Sequence, residues 1–195
     1  MPTPALPTPE QVAEEAARIL DAIHGDPEYQ RLLEGCVRYD NDWQCAAGVW
    51  TISRWNVRAD AAPLIEEALR ALALKGAVYK LTGDVAAAEL PIARPVDEVT
   101  HAVLAQRYVT ECIACRAGIA FIHMTDTEQE APPYRAGGYT HTAYTKAWGQ
   151  PPARYWLDAD EHARRAAVLD ALLSGVGVHD LGRSHTIAFD TALPA

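Results

Sequence analysis

Asp60-Ala-Ala-Pro-Leu-Ile-Glu-Glu-Ala-Leu-Arg-Ala-Leu-Ala-Leu-Lys-Gly76-Ala-Val-Tyr-Lys-Leu-Thr82 is the stretch on which the fold class turns. Its first part has helical spacing: Ile65, Ala68, Leu69 and Leu72 fall on one face. Asp60 can cap the helix at its start, and Gly76 offers a stop. Beyond Gly76 the pattern changes. Ala77–Thr82 alternates apolar and polar residues, which predicts a short strand. A helix followed by a strand puts the chain in the α+β class, mainly α-helical, and neighbouring segments raise the expectation to five or six helices with a small two- or three-stranded β element.

Upstream, the first helix is announced by its cap. Thr8, Pro9 and Gln11 form a capping-box pattern with proline at the first helical position, and Val12, Ala16, Ile19, Leu20 and Ile23 then make one apolar stripe. Gly25 ends it. Asp26-Pro27 opens a second helix with Leu32, Leu33, Cys36 and Val37 inward, and a third is expected over about Trp43 to Trp55. Downstream of Pro91–Pro95 the longest helix is expected over about Val96 to Ala117, apolar nearly all round and therefore central. Ile119–Met124 either continues it or forms a strand. A further helix follows Asp158 and Glu161, and Val176–Asp180 and His185–Asp190 read as two short strands.

These elements suggest a flexible proline-rich arm at residues 1–8 and a single globular domain over 9–195, interrupted by a long aromatic loop at 125–157. That loop holds six of the fifteen aromatic residues in a setting rich in Pro, Gly and Thr. A loop of this length in a compact domain is uncommon and is often functional.

Charge narrows the function classes. With 17 basic and 26 acidic residues the net charge is −9, and no Lys/Arg cluster appears. A nucleic-acid partner is unlikely on this footing, because a duplex is held through a basic stripe. A winged-helix regulator, suggested by the helix and strand on either side of Gly76, meets the same objection. No apolar run reaches the ~18 residues of a membrane span, and the proline-rich start has neither a basic n-region nor an apolar core. The expectation is a soluble, intracellular, cytoplasmic protein with no membrane partner. Abundant alanine, with only Lys75, Lys80 and Lys146 against fourteen arginines, hints at a GC-rich bacterial or phage gene.

Three groups of residues could carry chemistry. The first is Glu111-Cys112-Ile113-Ala114-Cys115 with Tyr108 one turn earlier. Cysteines three apart on a helix share a face, which suits a redox dithiol, half of a zinc site or simple core packing. Cys36 or Cys45 could complete a four-thiolate zinc site. The pair resembles in part the helical alkylhydroperoxidase-like carboxymuconolactone decarboxylase superfamily, whose motif is Glu-x-x-Cys-x-x-Cys-x-x-x-His. Two of its four positions differ here: Val109 stands for the glutamate and Ile119 for the histidine, the nearest histidine being His123. That family's function is not carried over.

The second group is His179 and His185, which would face each other if a hairpin turned at Gly182, within reach of one metal ion. His179-Asp180 also resembles the His-Asp pair of HD-domain phosphohydrolases, with His141 as the upstream histidine, but only Asp190 remains downstream. The third is Tyr139, His141, Tyr144 and Trp148, an interleaving of rings and polar groups that suits binding of a protein or small ligand. No phosphate loop, dinucleotide fingerprint, Gly-x-Ser-x-Gly elbow or His-Glu-x-x-His motif is present. Two functions follow as expectations. One is a non-enzymatic protein-interaction or assembly protein that uses the aromatic loop and acidic surface, with a protein partner or self-association. The alternative is a small enzyme or redox protein using Cys112 and Cys115, with zinc or a histidine-bound metal as the cofactor to test.

Overall fold

The computed structural model describes residues 6–39, 50–124 and 132–186. Among them are eight α-helices and one two-stranded antiparallel sheet. The chain divides into two compact units, Met1–Ala159 and Asp160–Ala195.

In the first unit, α1 (Pro9–His24) begins as its sequence dictates. The Thr8 side chain accepts from the Gln11 N–H, and the Gln11 side chain accepts from the Thr8 N–H. All five residues of its apolar stripe are buried. In α2 (Tyr29–Val37), Leu32 and Cys36 are buried, while Val37 is exposed.

The centre of the unit is α3 (Val57–Thr82), a single helix of 26 residues. Asn56, and not Asp60, caps it, accepting from the Arg58 N–H. The helix runs through Gly76 and stops at Gly83, whose φ of 69° and N–H bond to the Tyr79 carbonyl make a left-handed C-cap. The expected strand at Ala77–Thr82 is therefore the last turns of α3. Gly76 serves a different purpose: a Cβ there would meet the Ala120 carbonyl oxygen at 2.8 Å, so a neighbouring backbone segment can lie against the helix only where no side chain stands. Fifteen α3 residues are buried, and α1, α2, α4, α5 and α7 all pack on it.

The long helix expected over Val96–Ala117 is two helices, α5 (Arg94–Leu104) and α6 (Arg107–Ala117), after the one-turn α4 (Val85–Ala88). The break falls at Ala105–Gln106, where no proline or glycine marks it. Gly118, at φ 62°, ends α6, and residues 119–124 form neither helix nor strand. Part of the expected aromatic loop is helical: α7 spans Tyr139–Trp148, starting after Gly138. The core of this unit is continuous from Val12 to Trp156.

The second unit carries α8 (Ala159–Ser174), then β1 (Val178–His179), a short 3-10 turn over Asp180–Gly182, and β2 (Ser184–His185). The Leu181 N–H donates to Asp170 Oδ1 at 3.2 Å, and the Thr186 N–H to the Gly177 carbonyl at 2.7 Å, which tie the hairpin to the helix end. Of the expected third helix at Trp43–Trp55, residues 43–49 lie outside the described residues, and 50–55 form turns and no α-helix. Most of the strand His185–Asp190, the start of the loop at 125–131 and Cys45 also lie outside the described residues.

Candidate functional site

Three charged residues of α3 are buried, and each fastens a chain segment distant in sequence. Asp60 takes the first. Its oxygens accept from Arg154 Nε at 2.7 Å, Arg154 Nη2 at 2.8 Å, the Tyr155 hydroxyl at 2.9 Å and the Asn56 N–H at 2.9 Å. The Arg154 guanidinium holds the carboxyl down to about 2, against the upward push of burial. Glu67 takes the second. Its Oε2 accepts from the Tyr144 hydroxyl at 2.8 Å and from Trp156 Nε1 at 2.7 Å, and its Oε1 from Arg70 Nη1 at 2.7 Å. Both carboxylates are fully paired, as buried charges must be.

The third cluster holds more titratable groups. Lys75 is 1% exposed. Its ammonium pairs with Glu89, on the turn after α4, and donates to His123 Nδ1 at 3.1 Å. Glu89 Oε2 also accepts from the Met124 N–H at 3.2 Å. His123 Nε2 lies 2.8 Å from His101 Nε2, the latter on α5. An ammonium has donors only, so His123 Nδ1 is the acceptor and its proton sits on Nε2. That proton can only be donated to His101 Nε2, which places the His101 proton on Nδ1. Asp97 Oδ1 lies 4.0 Å from His123 Nδ1. Burial and the Lys75 ammonium push the His123 pKa down, against the pull of Asp97 and Glu89. The result is a directed chain of hydrogen bonds running from a buried Lys–Glu pair to the half-buried His101 ring.

The residues singled out from the sequence lie elsewhere. Cys112 is half-buried and Cys115 exposed, both free thiols on α6, with Tyr108 exposed on the same helix and Glu111 bound to Arg107 at 2.7 Å. They are not the core residues of an all-apolar helix. Cys36 is fully buried, and its thiol is pushed up to about 12 by burial. His179 and His185 are not partners: β1 pairs Val178 with His185 and His179 with Ser184. Among the described residues no three His, Cys, Asp or Glu side chains are grouped so as to hold a metal ion.

Of the aromatic set, Tyr144 is in the core, stacked edge-on with Trp148 and Trp156. Tyr139 donates to the Pro7 carbonyl at 2.7 Å, and His141 Nδ1 is 2.7 Å from the Tyr134 hydroxyl. Trp148 is half-buried with the Arg70 guanidinium 5.8 Å from its ring centre. These side chains hold the segment down; they do not project together.

Exposed apolar surface is found instead on α8. None of its residues is buried, and Val168 and Leu172 are 51% and 67% exposed; Val176, one turn beyond, is 64% exposed. No helix of the described residues is long and apolar enough to cross a membrane. No protein-family model matches this chain, and neither a curated protein nor a solved structure matches it.

Proposed function

We propose that the chain is an interaction or assembly protein that self-associates through the apolar face of α8. The observation that carries this reading is a 16-residue helix with none of its residues buried. A helix of this length is marginal on its own in water and draws most of its stability from covering its apolar face. Val168 and Leu172, four residues apart on α8, share one face, and Val176 follows just beyond the helix end.

A second copy of the same helix suits this stripe. The whole chain carries a net charge of −9, which opposes contact between like copies. On α8 itself that repulsion is small: Asp160, Glu161 and Asp170 stand against Arg164 and Arg165, a net of −1, and both arginines are tied to Glu161. Sedimentation velocity across a concentration series tests the reading. The wild-type chain is expected to dimerise, and Leu172→Glu to be monomeric with an unchanged melting temperature. A wild-type chain that stays monomeric at ~100 μM, a concentration at which an association worth more than about 5.5 kcal/mol would show, refutes it.

A further inference from the structure

Residues 119–124 lie against α3 and form no helix or sheet. Besides the Ile119 N–H bond to the Ala114 carbonyl at the end of α6, three contacts fasten them. The Ala120 carbonyl lies against Gly76, the Met124 N–H is taken by Glu89, and His123 is gripped between Lys75 and His101. Ile119, Phe121 and Ile122 pack only partly against the core. The His123 side chain is 6% exposed, so its polar atoms depend on these partners.

We propose that this segment is a proton-operated strap, docked when His101 and His123 are both neutral and released when the pair takes up protons. The reason is the direction of the hydrogen bonds. With Lys75 donating to Nδ1 and Nε2–H donating to His101, every nitrogen between the two rings is matched. A proton added to His123 sets Nδ1–H against the Lys75 ammonium, donor facing donor, with two positive charges about 3 Å apart. A proton added at His101 Nε2 meets the His123 Nε2–H, and His123 can accept it only by moving its own proton to Nδ1, with the same result.

Among the described residues, the charged groups around the pair come from each packed element: Lys75 from α3, Glu89 from the turn after α4, and Asp97 with His101 from α5. The strap itself adds only His123. Glu89 Oε1 at 3.6 Å and Asp97 Oδ1 at 4.0 Å pull toward protonation, but both are engaged: Glu89 with Lys75 and Met124, and Asp97 with Arg94 at 3.8 Å. Release frees His123 to charge in water and leaves the Lys75–Glu89 pair intact.

The sign follows from His123. Its pKa in the docked state is depressed, so docking is at full strength above the ordinary histidine value and is lost progressively as pH falls below that value toward the depressed one.

Amide hydrogen exchange of residues 119–124, corrected for the intrinsic rate, reads the release. Between about pH 7.5 and about pH 5 exchange should rise ~30-fold if one histidine of ordinary pKa charges only in the released state. The double variant His101→Gln, His123→Gln, which keeps donors and acceptors but cannot titrate, should show a flat profile. A flat wild-type profile, or the same rise in the double variant, overturns the proposal. Should that variant not fold, nitrogen NMR of the wild-type rings decides. A bare Nδ1 on His123 at neutral pH, with protonation and loss of protection moving together, supports the strap. A protonated His123 in a segment that remains protected overturns it.

Discussion

Replacing Tyr144 separates the two readings of the aromatic segment, because the structure makes it a buried partner of Glu67 and the sequence made it a candidate contact. Tyr144→Phe deletes only the hydroxyl. That hydroxyl donates to Glu67 Oε2 and accepts from Arg70 Nη1 at 3.0 Å. Glu67 keeps Trp156 and Arg70, so the carboxylate is weakened and not abandoned. One hydrogen bond to a buried charge is worth ~2 kcal/mol. For a unit of this size that lowers the melting temperature by about 4–8 °C. Tyr144→Ala also removes a ring that is 1% exposed and meets both Trp148 and Trp156, adding a loss of about 3–5 kcal/mol. Urea unfolding followed by tryptophan fluorescence measures both, and an unchanged slope shows that the same surface unfolds. The oligomeric state should be the same in both variants. A Phe variant within ~0.5 kcal/mol of wild type, together with an Ala variant that loses less than ~1.5 kcal/mol, would refute the Glu67 network as the anchor of this segment.

Other consequences follow from the same geometry. Native-state alkylation with peptide mapping should label Cys115 fastest and Cys112 next, and leave Cys36 unlabelled until unfolding; a labelled Cys36 contradicts its burial. Asp60 has a depressed pKa, so its contribution to stability is present above the ordinary carboxylate range and is lost as pH falls from ~5 toward about 2. Asp60→Asn should therefore flatten acid unfolding in that window while lowering stability at neutral pH, and an unaltered acid profile would show that the Arg154 pair does not form. Gly76→Ala should raise amide exchange in residues 119–124 at neutral pH, because the new methyl meets the Ala120 carbonyl; unchanged protection would mean the backbone lies farther away.

How much was legible depended on how local the information was. The first helix could be read whole, since Thr8, Pro9, Gln11 and the buried stripe lie within sixteen residues of one another. The central helix was cut short because a glycine after an apolar run signals a stop equally with Gly76 and Gly83. Only Gly83 takes the left-handed conformation, while Gly76 answers to a carbonyl forty-four positions away. Joining α5 to α6 was an error of the opposite kind, as no breaker marks Ala105–Gln106.

The polar cluster was the hardest to see, because its partners are distant in sequence and none belongs to a recurring motif. Lys75 and His123 are 48 residues apart, and His101 and His123 are 22 apart. One signal was present. Lys75 stands three residues after Leu72 and three before Val78 on an apolar helix, in a chain with only three lysines. A charge in that position must be paired or the helix cannot be central. The same reasoning applies to Asp60 and Glu67, seven residues apart and so on one face of α3. Apolar packing alone would let the connections after α6 and around α7 settle in several ways. Three buried charges of fixed sign and position accept only Arg154 with Tyr155, Tyr144 with Trp156, and Glu89 with His123. Buried ion pairs add little net stability compared with apolar packing, so their effect here lies in selecting one path for each connection. Of the three, only the Lys75 cluster contains histidines, and on the proposal above it is there that protons near neutral pH would loosen the chosen path.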